Sequence, residues 1–473
     1  MKIEAIDVDS TIENTKKLMD EDPQISPALK ASIELLLLLI SLLLNRVGLN
    51  SSNSSKPPSS DPNRLKQTRT PSGKKPGGQK GHKGTTLKKV SDPDVIEKIK
   101  LDTASLPEGS YSHVGYESRQ IIDINISRVV TEYRAQICED ANGKRFTAAF
   151  PKGVNRQVQY GVNVKAHSVY MSQYQLIPYN RIEETFLDQA GFPVSSGSIY
   201  NFNKEAYDAL KIFDEIVKKR LIGSYLCHSD ETGININGKR RWLHCASNAL
   251  WTYFFPHEKR GIVAMNEMGI IPRFEGVLCH DHWKPYFHFD CLHSLCNAHH
   301  LRELERAWEQ DNQKWARDVR ALLLEINKAV DDAGGKLTDE AVLRYRQKYQ
   351  SLLEKGETEC PPPDEKQRNG KRGRLKRSKA RNLLERLINF ETETLRFMKD
   401  DKVPFTNNLG ENDIRMTKVQ QKISGCFRSM TGAAIFCRVR SYLSTCKKHG
   451  VRASEALRLL FEGKLPTFLD EQI

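Results

Sequence analysis

The sequence predicts a multidomain α/β protein. Its 473 residues are enough for two to four domains with a sizeable hydrophobic core. Short apolar runs typical of buried strands occur between residues 220 and 300, and long helical patterns lie on both sides of them. Near the N-terminus, a stretch rich in Ser, Pro, Gly and Lys cannot support a core. These three observations predict an N-terminal helical part, a linker and a folded remainder.

The N-terminal part, residues 1–49, is predicted to be a leucine-rich multimerisation segment. A helix is expected over residues 24–48. Its apolar residues at the spacing of a coiled-coil seam are Ile33, Leu37, Ile40, Leu44 and Val47. Nearly all their neighbours are also leucine, so burial within the monomer remains an alternative to self-association, which we favour.

Two weakly structured regions are expected next. Residues 50–93 are predicted to be a basic flexible linker, and residues 94–155 a small strand-rich module. The net charge of +14 is concentrated, because residues 51–89 carry +9 and residues 364–381 carry +7. Concentrated positive charge is typical of phosphate-binding segments and equally of solvated linkers, and basic linkers often become ordered on nucleic acid.

Residues 156–215 are predicted to be helical and to resemble a helix-turn-helix. One helix is expected over residues 181–189, followed by the turn GFPVSSG and a second helix capped by Ser195 or Ser196. A second helix that begins with polar residues is typical of DNA-reading motifs. An ordinary pair of packed helices is the alternative.

Residues 216–430 predict a ribonuclease-H-like catalytic domain. Strands are expected at 224–230, 240–248, 250–256 and 274–281, with a helix at 262–269 before the last of them. Three consecutive strands, a helix and a fourth strand that ends in an acid are the order of that fold. The helical pattern of residues 298–400 is interpreted as an insertion, and residues 431–473 as a C-terminal helical tail.

Three carboxylates are the candidate catalytic residues. Asp230 and Asp281 each end an apolar run, and Glu411 lies at the start of a helical pattern. Together they could hold two Mg²⁺ or Mn²⁺ ions, which prefer carboxylate ligands and catalyse phosphoryl displacement in pairs. The alternatives are two surface-loop acids, and a capping box in which Glu411 pairs with Asn408.

A zinc site is a further possibility. Cys291, Cys296 and His299 have a C-x₄-C-x₂-H spacing that can supply zinc ligands. Two buried thiols beside a packed histidine are the alternative.

The segments NSSKPPSSD, GGQKGHKG, IPYNRIEETFLD, HSDETG, CNAHHLREL and NNLGENDIR together resemble the transposases of insertion-sequence family sixty-six (TnpC type). The resemblance implies a DDE transposase with Asp230, Asp281 and Glu411 as catalytic residues. Our hypothesis for the mechanism is that Asp230 bridges both metal ions while Asp281 and Glu411 hold one each, and that the site cleaves transposon ends and then joins them to target DNA. Many relatives carry a four-cysteine zinc module after the linker, but here only Cys138 remains, so no zinc finger is expected there.

DNA is the expected partner, both as terminal inverted repeats and as target. The residues expected to contact it are Lys74, Lys75, Lys80, Lys83, Arg181, Arg415, Lys422 and Arg428. A homo-oligomer in the synaptic complex is expected, and accessory proteins of the same element are possible. Two other functions stay open: a ribonuclease-H-like nuclease without strand transfer, and a catalytically inactive DNA-binding derivative.

The protein is expected to be cytoplasmic and associated with the bacterial nucleoid, without a membrane partner. Residues 1–17 lack the apolar core of a secretory signal, and the apolar run 35–44 is too short to cross a bilayer. The ten scattered cysteines are typical of reduced thiols.

Overall fold

The computed structural model describes residues 2–3, 6–22, 24–47, 49–50, 53–54, 87–102, 106–364 and 375–470. The secondary-structure elements in chain order are β1 Lys2–Ile3, β2 Ile6–Asp7, α1 Val8–Glu21, α2 Pro27–Val47, β3 Ile137–Glu139, β4 Arg145–Thr147, α3 Val162–Val169, α4 Tyr179–Ala190, α5 Ser196–Ala209, α6 Lys211–Ile222, β5 Leu226–Ile236, β6 Lys239–Ser247, β7 Thr252–His257, α7 Ile262–Met268, β8 Val277–His280, β9 Leu292–Leu295, α8 Asn297–Asp311, α9 Lys314–Asp332, α10 Asp339–Glu359, α11 Lys379–Asn389, α12 Glu391–Leu395, α13 Asn408–Ser424, α14 Met430–Lys448, α15 Ala453–Phe461 and α16 Thr467–Asp470.

A five-stranded mixed sheet organises the C-terminal part, with strand order β7-β6-β5-β8-β9. β5, β6 and β7 are antiparallel neighbours, whereas β8 and β9 run parallel to β5. The first strand in the chain, β5, therefore lies at the centre. The chain crosses from β7 at one edge of the sheet to β8 beside β5 through helix α7.

Strand β5 is longer than predicted. It continues to Ile236 and turns into β6 through Asn237 and Gly238, which have φ values of 49° and 76°. Two consecutive residues with positive φ form the tight turn that matches the twist of a β-hairpin, and Asn-Gly is its preferred sequence. Asp230 consequently lies in the middle of β5 and not at its end.

The predicted C-terminal helical tail is helical, and its helix α14 is part of the hydrophobic core. Val439, Tyr442 and Leu443 of α14 are fully buried, and they pack with residues of α3, α5 and the sheet. β7 is the edge strand, and its backbone N–H groups at Thr252 and Phe254 donate to the hydroxyls of Thr445 and Ser441, at 3.1 and 2.8 Å. Helix α14 thus covers an edge that would otherwise expose unpaired donors.

The predicted insertion has a hydrophobic core of its own. Trp315, Leu323, Tyr349 and Leu384, which belong to α9, α10 and α11, are buried against one another. The sheet residue Val277 joins this cluster, so the insertion packs against β8. After it, the chain returns to the sheet through Phe405, whose carbonyl accepts the N–H of Asn297 at 3.1 Å.

The predicted pair of helices before the sheet is present. Helix α4 ends at Gly191, whose φ of 68° suits a residue without a side chain, and α5 begins after Ser195, whose side chain accepts the N–H of Ser198. Both helices bury apolar residues, among them Ile182 and Ile199.

The predicted strand-rich module is largely unpaired. In the described parts of residues 94–155, β3 and β4 form a three-residue antiparallel pair, and residues 106–136 contain no strand. The apolar side chains of this stretch are exposed, for example Ile124 at 83 % and Val129 at 87 %. Residues with high strand propensity form strands only when partners and a covering layer are available, and this stretch has neither.

Helix α2 confirms the predicted N-terminal helix. Leucines outside the predicted seam, such as Leu35 and Leu43, are more than half exposed, whereas Ile33, Leu37 and Leu44 of the seam are partly buried. The run 35–44 alone is too short for a bilayer, but the helix extends the apolar window to Pro27–Leu44, which is sufficient by length and composition. A single helix of this kind near an N-terminus is weak evidence of a membrane protein, and multimerisation stays a prediction.

Candidate active site

Asp230 lies at the centre of the sheet. It pairs with Cys245 of β6 in the antiparallel register, and its Oδ1 accepts the backbone N–H of Glu231 at 2.9 Å. Parallel pairing of β5 with β8 brings the chain that leaves β8 towards this position. Asp281 is the first residue after β8, where its Oδ1 accepts the N–H of Trp283 at 2.9 Å.

Glu411 lies in the first turn of α13 and does not form the capping box considered above. The N-cap residue is Asn407 rather than Asn408, and it makes no side-chain cap. The Oε1 atom of Glu411 lies 3.7 Å from Cys296 Sγ and 3.7 Å from His299 Nδ1. The side chain therefore points away from its own helix, towards the start of α8.

Asn407 and Gly410 hold α13 against β5. The buried Asn407 side chain accepts a hydrogen bond from His228 Nδ1 at 2.8 Å and donates one to the Ser229 carbonyl at 2.9 Å. A Cβ atom at Gly410 would lie 3.1 Å from Asn407 Oδ1 and 3.3 Å from His228 Cβ, which is tighter than ordinary contact. In the segment NNLGEN, Asn407 therefore hydrogen-bonds α13 to β5, Gly410 allows the two elements to lie close together, and Glu411 supplies the carboxylate.

The carboxylates interact electrostatically. Burial raises the pKa of Asp230 well above its ordinary value, and the negative charges of Glu231, Asp281 and Glu411 raise it further. Residues that are far apart in the sequence are therefore close enough to repel one another. A partly buried group of like charges is a known arrangement for binding a divalent cation, because the cation removes the repulsion.

Glu231 was not predicted, although it adjoins Asp230. Only 2 % of its side chain is exposed, and it accepts hydrogen bonds from Arg260 Nε at 2.9 Å and from the Tyr286 hydroxyl at 2.6 Å. Burial raises the pKa of Glu231, and the charge of Asp281 adds to that effect. The guanidinium of Arg260 also stacks on Trp283, at 3.9 Å from the ring centroid. These partners fix Glu231 beside the carboxylate cluster.

Only two of the three predicted zinc ligands come together. Cys296 precedes α8 and lies close to His299, whereas Cys291 precedes β9 and packs in the main hydrophobic core. A strand advances by about 3.3 Å per residue, so the two thiols lie at opposite ends of β9. In the described residues, Glu411 takes the third place in the cluster.

A cleft of about 770 Å³ begins at Glu231 and follows the β5–β6 hairpin. Three cations line it, together with one indole ring: Arg240, Arg260, Lys418 and Trp242. Arg240 lies over the Trp242 ring, at 4.7 Å from its centroid, and Lys418 donates to the Gly233 carbonyl at 2.6 Å. With Glu231 as the lining carboxylate, the cleft carries net positive charge, which suits an anionic ligand.

The residues predicted to contact DNA do not form one cluster in the described structure. Arg181 is exposed at the start of α4, and Arg415, Lys422 and Arg428 are exposed on or just after α13. The residue of α13 that lines the cleft with a positive charge is Lys418, which the sequence did not single out. The four predicted lysines between residues 74 and 83 lie outside the described residues: Lys74, Lys75, Lys80 and Lys83.

Comparison with known proteins gives two family matches. Residues 157–435 match the family described as Transposase IS66 family. Residues 5–88 match a family of unknown function (DUF6444). No curated protein matches the chain. The first match covers more than half of the chain and contains Asp230, Asp281 and Glu411.

Proposed function

Because this chain belongs to the IS66 family of transposases, we propose that it cuts DNA at transposon ends and joins those ends to target DNA. Asp230, Asp281 and Glu411 are the proposed catalytic carboxylates. The observation that carries the proposal is that all three contribute to one electrostatic cluster, although about 180 residues separate the first from the last.

The sheet topology supports a ribonuclease-H-like fold for this region. In the strand order β7-β6-β5-β8-β9, the strand that comes first in the chain, β5, is central. On one side of β5, strands β6 and β7 follow as an antiparallel meander, and on the other side β8 and β9 run parallel to β5. The candidate carboxylates come from β5, from the end of β8 and from α13, the helix that packs on β5. Ligands of open α/β sheets bind where parallel strands end, and Asp281 lies at such an end.

The carboxylate cluster fits Mg²⁺ or Mn²⁺. Its donors are carboxylate oxygens, which suit hard divalent ions, and the neighbouring cation Arg260 is already paired with Glu231. Asp230, Asp281 and Glu411 would hold two such ions. When bound, paired ions of this class activate the attacking oxygen and stabilise the leaving one. The protein itself would position DNA through Arg240 and Lys418, and would hold Glu231 in place through Tyr286 and Arg260.

Cleavage of DNA that carries the element's ends, with and without Mg²⁺, tests the proposal. Asp230→Asn, Asp281→Asn and Glu411→Gln should each lower cleavage by roughly a thousandfold, because a metal ion supplies several kcal/mol of transition-state stabilisation. Binding to the ends should stay nearly unchanged. Glu275→Gln, an exposed carboxylate before β8, is the matched control and should cut normally. Normal cleavage by any of the three variants would remove that residue from the site.

Strand transfer needs a separate assay. Pre-cut ends mixed with target DNA and Mg²⁺ should give joined products. A protein that cuts but never joins would be a nuclease, and one that binds ends but does neither would be an inactive DNA-binding derivative.

The cleft predicts where the DNA backbone lies. Arg240→Ala and Lys418→Ala should each weaken DNA binding by up to roughly tenfold, equally for all sequences, and each should lower the salt dependence of binding by about one phosphate contact. Lys328→Ala, an exposed lysine of α9 outside the cleft, is the control. Equal effects of all three changes would place the DNA elsewhere.

A further inference from the structure

A second group of metal-ligating side chains lies beside the carboxylates. Cys296 Sγ, His299 Nδ1 and Glu411 Oε1 all lie within 4.8 Å of one another. Both the sulfur and the imidazole nitrogen are 3.7 Å from the Glu411 oxygen. Thiolate, imidazole and carboxylate form a donor set for Zn²⁺ and similar ions, and a soft thiolate is a poor ligand for Mg²⁺.

The spacing of the three atoms fits one ion. Zinc binds sulfur at about 2.3 Å and nitrogen or oxygen at about 2.0–2.2 Å in a tetrahedron, which separates its ligand atoms by about 3.3–3.6 Å. The two distances of 3.7 Å are close to that spacing. A separation of 3.7 Å between nitrogen and oxygen is too long for a hydrogen bond. In keeping with this, the Nδ1 atom of His299 is buried and has no hydrogen-bond partner among the residues that the structure describes.

The backbone fixes the donors before any ion binds. The N–H of Cys296 donates to the His280 carbonyl at 2.9 Å, and its sulfur accepts the N–H of Asn407 at 3.1 Å. His299 follows on the first turn of α8, and Glu411 is fixed by the packing of α13 on β5. The three donors lie at the beginnings of α8 and α13, which are both held in place by the contacts above, so binding of an ion requires little rearrangement of the protein.

We propose that Cys296, His299 and Glu411 bind one Zn²⁺-class ion per chain, with the fourth position open to water. Three protein ligands and one open position are the usual arrangement of non-structural zinc sites. The site stands on its own donors, but it shares Glu411 with the proposed magnesium site. Zinc therefore competes with one magnesium ion for that carboxylate and inhibits cleavage.

Titration of the metal-free, full-length protein with Co²⁺ tests the site without DNA. One ion per chain should produce a sulfur-to-cobalt charge-transfer band in the near ultraviolet and the visible bands of tetrahedral Co²⁺, and Zn²⁺ should displace it. Cys296→Ser should abolish the charge-transfer band. His299→Ala, which removes a partly exposed ring, should weaken Co²⁺ binding at least tenfold.

Cys291→Ser is the matched control, because it removes another buried thiol at the far end of β9. It should keep the band and the affinity. Absence of the band in the wild type, or its persistence in Cys296→Ser, overturns the proposal, and so does unchanged affinity in His299→Ala. Circular dichroism of each variant shows whether lost binding reflects unfolding. If Cys296→Ser unfolds, His299→Ala alone decides the question.

The two proposals fail separately. A protein that binds Co²⁺ through sulfur but does not cut DNA contradicts only the proposed function. One that cuts with Mg²⁺ and shows no charge-transfer band contradicts only this site.

Discussion

The stretch 106–150 and the sheet of strands β5 to β9 both contain β-branched and aromatic residues at strand-like spacing, yet only the sheet buries them. Ile234 and Leu243 are almost inaccessible, whereas Ile121 is 93 % exposed. The sheet residues have neighbouring strands, and helices α13 and α14 cover them. The stretch 106–150 touches the folded part at few points, such as the Arg128 side chain, which donates to the Gly191 carbonyl at 3.3 Å. Strand propensity leads to paired strands where a covering layer exists, and in the described structure most of this stretch has no such layer.

The strongest test of this contrast is a core substitution in the covering helix. Tyr442 of α14 is fully buried, and its hydroxyl donates to the Ala456 carbonyl at 3.0 Å. Tyr442→Ala should lower the free energy of unfolding by about 3–5 kcal/mol, because it leaves a large cavity and removes a buried hydrogen bond. Urea denaturation measures the change. A loss of unfolding free energy below about 1 kcal/mol would mean that the packing of α14 contributes little to the stability of the protein.

The edge of the sheet gives the next largest effect. Ser441→Ala leaves the N–H of Phe254 without its acceptor and should cost about 1–2 kcal/mol. Ser429→Ala, which removes the N-cap of the same helix, is a comparison at an exposed position and should cost about 1 kcal/mol. If Ser441→Ala is neutral, water replaces the hydroxyl and the edge is less covered than described.

Within the well-packed region, Asp230 is expected to be an exception that reduces stability. Its pKa is raised by burial and by neighbouring carboxylates, so folding favours the protonated form. In metal-free protein, the destabilisation caused by Asp230 should increase as the pH rises above about 3.9, the pKa of Asp230 in the unfolded chain. It should level off above the raised pKa of the folded protein. Asp230→Asn should remove this pH dependence and raise the neutral-pH melting temperature.

Mg²⁺ provides the complementary measurement for the same residue. It should stabilise the wild type against heat and leave Asp230→Asn nearly unchanged, since the ion relieves a repulsion that the variant no longer has. Thermal denaturation with EDTA or Mg²⁺ at several pH values measures both effects. A variant less stable than the wild type across this range would show that the carboxylate serves the fold.

The smallest expected effect lies in the unpacked stretch. Ile124→Ser and Val129→Ser should change the free energy of unfolding by no more than about 0.5 kcal/mol, because both side chains are already exposed. If this surface docks on DNA or on a second copy, the same changes should weaken end binding or self-association. A large loss of stability would mean that the stretch packs against the protein in solution.

The sequence predicted the parts of the fold that local patterns determine. A cap of α5 at Ser195 or Ser196 was predicted, and Ser195 is that cap. The family resemblance is confirmed by the match over residues 157–435. The length of β5 was missed although Asn237-Gly238 is a strong hairpin signal. β9 was missed because the thiols that flank it, Cys291 and Cys296, were interpreted as possible zinc ligands. Glu231 and Lys418 could not be predicted, since their roles depend on which distant residues meet them: Arg260 and Tyr286 for the first, Gly233 and the cleft for the second.

The hydroxyls of Ser441 and Thr445 also have a consequence for crowded assemblies. An edge strand with unpaired backbone N–H and C=O groups can pair with the edge strand of a neighbouring molecule, and repeated pairing leads to aggregation. Here, on the β7 side, those donors are already occupied by side chains of the same molecule. Molecules of this protein at high local concentration therefore cannot extend the sheet through these two β7 donors.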